Sequence, residues 1–228
     1  MDPWSDRAIR NGRCPPPSAA TVYVVSPETD PYGRVLLLRH GETEWSRTGK
    51  HTGRTDIPLT GAGRAAAHSV RDALALVRHA EPPARVLCSP RTRARDTAEL
   101  AGLRVDSVDE RLSEWDYGDG EGRTTPEIRE DLPGWTVWDG PWPGGETADD
   151  VCARADAVLA GIRPLLDDGD VVLVGHGHFS RVLTARWIGL PASGGVHFRM
   201  DPAGVTVLGH ERGVPRLDHV NQRPTGSA

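Results

Sequence analysis

Two histidines stand at places in this 228-residue chain where an apolar run stops abruptly. Arg39-His40-Gly41-Glu42 follows Val-Leu-Leu-Leu, and Gly175-His176-Gly177-His178 follows Val-Val-Leu-Val. Between them, Ser89-Pro90-Arg91-Thr92-Arg93-Ala94-Arg95-Asp96-Thr97-Ala98 follows Val-Leu-Cys, and a glycine-punctuated acidic stretch runs Glu114-Trp115-Asp116-Tyr117-Gly118-Asp119-Gly120-Glu121-Gly122. A neutral imidazole beside guanidinium forks is equipped for phosphoryl transfer. The forks match the charge of a phosphoryl group, and a ring nitrogen attacks the exposed phosphorus to give a phosphohistidine that water then cleaves. The departing alkoxide needs a proton, and Glu114 and Glu121 are the carboxylates in a distinctive setting. Plainer readings stand beside this one. A strand-end histidine is commonly a hydrogen-bonding loop residue, the arginines of 91–95 fit a solvated helix face, and the glycines fit turn chemistry. His176-x-His178 also has a metal-site spacing, but further ligands cannot be placed.

The elements that must position these groups alternate. Buried strands are predicted at 34–39, 85–88 and 170–174, each a short continuous apolar run, with further strands at 21–25 and 104–108. Thr60 caps a helix with Val70, Leu74 and Val77 on one face, and another helix spans 91–100. Thr147, with Asp150 in capping-box position, opens a long helix burying Val151, Ala155, Leu159 and Ile162, which Pro164 should kink or end. Phe179, Leu183, Trp187 and Leu190 mark the apolar face of the next helix, and 197–220 reads as strand, turn and strand. This alternation predicts an α/β fold, three layers α/β/α around a mainly parallel sheet, in which ligands bind at the carboxyl ends of strands. Both histidine motifs begin at such ends. The Pro-, Gly- and Trp-rich segment 132–145 is a candidate lid, although Trp135, Trp138 and Trp142 more simply anchor it by packing. Residues 1–20, with Pro15-Pro16-Pro17, read as a flexible arm preceding one domain over 21–228.

Composition removes several function classes. The formal net charge is −5, and Lys50 is the only lysine. No basic surplus points to nucleic acid, and no apolar run approaches the length of a membrane span. Cys14, Cys88 and Cys152 are odd in number, dispersed and without a CxxC pair, so they support neither a disulfide framework nor a zinc ribbon. A reducing compartment follows, hence a cytoplasmic protein.

Taken together and in order, the four motifs resemble those of the histidine phosphatase superfamily, also called phosphoglycerate mutase-like. The resemblance runs from about Val35 to Gly209. It implies a phosphoglycerate mutase-like fold, a phosphohistidine at His40, a phosphate pocket completed by Arg39, Arg93 and His176, and Glu114 as proton donor. It implies no metal or organic cofactor. Members also contact substrate through the loop after the first histidine. In that loop Ser46 replaces an asparagine that touches phosphate in many members, and Lys50, Thr52 and Gly53 occupy positions that face substrate in the mutases. The interval before the second histidine lacks the long basic segment of mutases, which favours a phosphatase over a cofactor-dependent phosphoglycerate mutase or a non-catalytic phospholigand-binding module. The stretches around Glu114 and His178 look closest to a subgroup of acid phosphatases and sedoheptulose-bisphosphatase-like enzymes, with His178 a candidate leaving-group contact. The implied partner is a small phosphomonoester such as a sugar phosphate, with no nucleic acid and no membrane; the oligomeric state is left open, a homodimer included.

Overall fold

The computed structural model describes residues 32–77 and 82–223. The expected arm over 1–20 and the expected strand at 21–25 lie outside the described residues. Six strands form one sheet: β1 (Val35–Arg39), β2 (Arg85–Cys88), β3 (Ser107–Val108), β4 (Val171–Gly175), β5 (Val205–Glu211) and β6 (Val214–Gln222). Their spatial order is β3-β2-β4-β1-β5-β6. Pairing is parallel across β3, β2, β4 and β1 and antiparallel at β1–β5 and β5–β6, so the site-bearing part is parallel and the last two strands form an antiparallel hairpin.

Helices cover both faces because β1, up to its closing Arg39, and β4 carry no polar side chain and cannot leave either face in water. Val35 and Leu37 of β1 join Val171 and Leu173 of β4 on one face, with residues of α5 (Ala148–Ile162) and α6 (Gly177–Trp187). Leu36, Leu38, Val172 and Val174 face the other way, against Val70, Leu74 and Val77 of α2 (Gly61–Val77) and Ala94 and Ala98 of α3 (Thr92–Leu100). Alternate residues of one strand thus belong to two cores, which gives the three-layer arrangement. Truncating a buried leucine such as Leu37 would cost about 2–5 kcal/mol. Arg34 ties the starts of β1 and β4 together, its Nη2 lying 3.0 Å from Oδ2 of the buried Asp170.

The cap of α5 is as the sequence suggests: Thr147 and Asp150 bond reciprocally, and Pro164 falls in a 3₁₀ turn, Arg163–Asp167, after the helix ends. Three expectations change. The strand expected over 104–108 is only two residues long and exposed at the sheet edge. Leu190, assigned to the buried face with Phe179 and Leu183, lies beyond the end of α6 and is 37% exposed. Two short helices were not foreseen: α1 (Glu44–Thr48), which buries none of its residues, and α4 (Thr125–Asp131). Cys88 is a free buried thiol, whereas Cys152 is disulfide-bonded, which departs from the expectation drawn from dispersed cysteines. No helix among the described residues is long and apolar enough to cross a membrane.

Candidate active site

In the register of β1 with β4, Arg39 pairs with Gly175, so the two histidine motifs leave the sheet side by side. The amide of His40 donates to the Gly175 carbonyl at 2.9 Å, and the two imidazoles meet edge to face with centroids 5.2 Å apart. His40 Nδ1 lies 2.7 Å from the carbonyl of Gly41. A carbonyl only accepts, so Nδ1 carries the proton and Nε2 is left with its lone pair. Burial, followed by the charges of Arg93 and Arg39, holds the His40 pKa well below the ordinary histidine value, so the ring stays neutral. Gly41 lies so close to α2 that a Cβ there would meet the Gly63 carbonyl oxygen at 2.5 Å. Its amide donates to Thr97 Oγ1, and that hydroxyl donates to the Arg93 carbonyl, tying the His40 loop to α3.

The guanidiniums are fixed by main-chain acceptors rather than by carboxylates alone. Arg39 Nη1 donates to Met200 O at 2.6 Å, and its plane passes Gly177 closely enough that a Cβ would sit 3.2 Å from it. Arg93 is fully buried and donates to the carbonyls of Thr55, Thr52 and Gly53 at 2.8, 3.0 and 3.1 Å. Its nearest carboxylate, Asp56, is 4.0 Å away. His176 is also fully buried; Nε2 lies 2.7 Å from Ser89 Oγ. Burial, with Arg93 next, holds His176 neutral. Among the described residues, the buried Nε groups of Arg39, Arg91 and Arg93 and Nδ1 of His176 have no hydrogen-bond partner. A buried donor without an acceptor is costly, and several together around a neutral histidine form a site built to receive an anion.

Glu114 closes one side. Its Oε1 accepts the amides of Trp115 and Phe179 at 2.9 and 2.8 Å, and Oε2 that of His178 at 3.0 Å. Three main-chain amides thus fix the Glu114 side chain at the N-terminal turn of α6, beside the pocket. Its charge acts on Arg39 and Arg93, partly offsetting the effect of their burial.

Beside this pocket stands an aromatic wall. Tyr117 Oη is 2.6 Å from His178 Nδ1. Burial raises the phenol pKa and lowers that of the histidine, so the phenol donates to a neutral ring. His51 packs on Tyr117 at 4.8 Å, and burial pushes its pKa down to about 4. Trp135 and Trp142 meet edge to face at 4.2 Å, and both also contact His51. Trp138 lies between His178 and the guanidinium of Arg181, which sits 4.6 Å over its ring. The three tryptophans of the segment expected as a lid are therefore buried anchors, as the packing reading holds.

The profile of the histidine phosphatase superfamily (branch 1) matches residues 35–223, the whole span that builds this pocket. The chain belongs to the histidine phosphatase superfamily. Among relatives, an acid phosphatase of Mycobacterium tuberculosis is 47% identical over 184 residues, 81% of this chain and 90% of that one. Sedoheptulose 1,7-bisphosphatase of Saccharomyces cerevisiae is 34% identical over 188 residues, 69% and 68% of the two chains. A solved structure of a Mycobacterium tuberculosis open reading frame product superposes with a TM-score of 0.81 at 44% identity, covering 84% of this chain and 98% of that one. A mycobacterial glucosyl-3-phosphoglycerate phosphatase in complex with VO3 gives 0.71 at 32% identity, covering 83% and 98%.

In this histidine phosphatase the five residues expected at the centre, His40, Glu114, His176, Arg39 and Arg93, come together at one sheet edge. The five expected to bind substrate fare differently. Ser46 is engaged in the cap of α1: its hydroxyl donates to Thr43 O and accepts the Thr43 amide. Thr52 and Gly53 act through their carbonyls, which orient Arg93, and the Thr52 hydroxyl donates to Lys50 O. Lys50 Nζ lies 5.8 Å over the ring of Trp45. His178 alone stands in the wall beside the pocket. Glu121, the other candidate acid, accepts the amides of Gly53 and Thr55 and so fastens the loop that holds Arg93. Ser89, Thr97 and Tyr117 lie within the motif stretches, His51 in the loop after the first histidine and Arg181 just past the second, each without an assigned part; their side chains bridge segments far apart in sequence, which spacing alone does not reveal.

Proposed function

We propose that the protein is a phosphomonoesterase that hydrolyses a small phosphorylated metabolite, a sugar phosphate or a similar compound, through a phosphohistidine at His40. The observation that carries this reading is the set of buried guanidinium donors without acceptors among the described residues, Nε of Arg39, Arg91 and Arg93, beside the lone pair of His40 Nε2, which the Gly41 contact through Nδ1 leaves free. Arg39 and Arg93 draw the phosphoryl oxygens in and spread their charge. His40 Nε2 then attacks phosphorus, and the bond from phosphorus to the substrate oxygen breaks. The leaving oxygen takes a proton from Glu114 and departs as the alcohol. In the second half a water molecule attacks the phosphorus of the phosphohistidine, giving a proton to Glu114, and the P–N bond breaks to release inorganic phosphate and neutral His40. Each donor to the developing charge contributes roughly 10²–10³ in rate.

The neutral state of His40 sets the acid side of the pH profile. Protonation would remove the lone pair, and burial with two guanidiniums postpones that well below the usual histidine range. Activity therefore persists in acid, below the pH at which an ordinary histidine would be protonated.

Some relatives are named probable phosphoglycerate mutases, such as one from Salmonella paratyphi C at 31% identity over 70% of this chain. The short segment with the buried Trp135, Trp138 and Trp142 supplies no long basic cover for a phosphorylated intermediate, which favours transfer to water. The test is a panel of sugar phosphates, phosphoglycerates and nucleotides, following phosphate release. Release from a sugar phosphate faster than any interconversion of 2- and 3-phosphoglycerate supports the phosphatase; the reverse order makes the protein a mutase.

A further inference from the structure

Ser89 is fully buried at the end of β2, its amide bonded to Val174 O at 2.9 Å. Its hydroxyl meets two groups, His176 Nε2 at 2.7 Å and the amide of Arg91 at 3.4 Å. Building on the reading of the pocket as a phosphoryl site, we propose that Ser89 is a positioning residue that holds His176 in the Nδ1–H tautomer, so that His176 offers the phosphoryl group a donor and not a lone pair.

The positions of the protons around Ser89 decide the tautomer. The Arg91 amide only donates, so the Ser89 oxygen accepts from it. If the hydroxyl donates to Nε2, the ring proton resides on Nδ1, and every member of the trio is satisfied. If instead Nε2–H donates to Ser89, the hydroxyl proton has no other acceptor among the hydrogen bonds of the described residues, and Nδ1 is a bare lone pair. Nδ1 is buried and without a protein partner. A lone pair there would repel phosphoryl oxygens, whereas an N–H joins the Nε groups of Arg39, Arg91 and Arg93 as a further unpaired donor. Double protonation is opposed by burial and the surrounding guanidiniums. His40 makes the contrast: its Nδ1–H is held by the Gly41 carbonyl, an acceptor, and it shows the lone pair of Nε2 to the same pocket. Two neutral histidines in ring contact are thus given opposite parts by their neighbours, one as lone pair and one as donor.

The test is a long-range ¹H–¹⁵N correlation spectrum of ¹⁵N-histidine-labelled protein at neutral pH, assigned with His40→Gln and His176→Gln, with and without inorganic phosphate. The proposal expects His176 protonated at Nδ1 and unprotonated at Nε2, with the Nδ1–H resonance moved by phosphate. Ser89→Ala should shift the proton to Nε2 and lower kcat by about 10²-fold with a much smaller change in KM, and Ser89→Thr should restore both. An Nε2–H tautomer in the unsubstituted protein overturns the proposal, and so does a Ser89→Ala enzyme that keeps Nδ1–H and full kcat. The tautomer is read without turnover, so this outcome is independent of whether His40→Ala abolishes phosphatase activity.

Discussion

The phosphate pocket and the aromatic wall beside it are built on opposite plans. The pocket hangs from the ends of β1, β2 and β4, which are held in register by ladder hydrogen bonds, and it keeps several buried donors without protein acceptors. The wall is carried by the acidic stretch, the loop after α1 and the irregular segment after α4, and several of its polar groups bond to one another or to main chain. Tyr117 bonds His178, His51 bonds Thr125, and the Trp142 indole donates to Val137 O. Unsatisfied buried donors on a rigid frame suit the binding of a charged ligand, whereas the paired groups of the wall serve packing. The pocket and the packing that borders it are therefore separable by mutation.

The sharpest way to break that separation is Trp135→Ala. Trp135 is 4% exposed and packs on His51 and Trp142. Its loss should cost about 3–5 kcal/mol of stability by denaturant unfolding, with turnover of a small aryl phosphate nearly unchanged below the transition. A collapse of kcat in the folded variant would merge wall and pocket. Arg93→Lys is the converse. It removes the fork held by the Thr52, Gly53 and Thr55 carbonyls, and kcat/KM should fall by roughly 10²–10³ with the melting temperature moved only slightly.

The buried histidines couple both regions to pH. Each is held neutral in the fold below its unfolded value of 6.5, so the unfolded chain binds more protons as pH falls. The stability contributed is complete above pH 6.5 and is lost as pH drops toward the folded value. For His51 that window runs from 6.5 to about 4, which amounts to about 3 kcal/mol. Urea midpoints measured from pH 7 to pH 4.5 should decline, and His51→Asn should flatten part of that decline. The smallest effect is expected at Lys50, whose ammonium lies over Trp45: Lys50→Ala should raise KM a few-fold, with kcat and stability close to those of the parent.

The same contrast explains what could be read from sequence. Strand ends carrying His40, His176 and the arginine cluster were legible because continuous apolar runs force β1, β2 and β4 into the middle of the sheet. The capping box of α5 was equally local. What escaped depends on the third dimension. Ser46 has a hydroxyl suited to phosphate, yet Thr43 lies three residues away and claims it for a cap. Thr52 and Gly53 act through carbonyls, for which side-chain type is no guide. Helix α4 does carry a local signal, the Thr124–Glu127 capping box, but it stands outside the strongly apolar segments. Ser89 and Thr97 join segments 87 and 56 residues apart, so only the fold brings out their parts.

The central claim is that His40 carries the phosphoryl group. Rapid mixing with a ³²P-labelled sugar phosphate, followed by alkaline quench and peptide mapping, should capture acid-labile, base-stable label on the peptide containing His40, with neither label nor turnover in His40→Ala. Turnover by the unsubstituted enzyme without any such label, or parental turnover by His40→Ala, would contradict it.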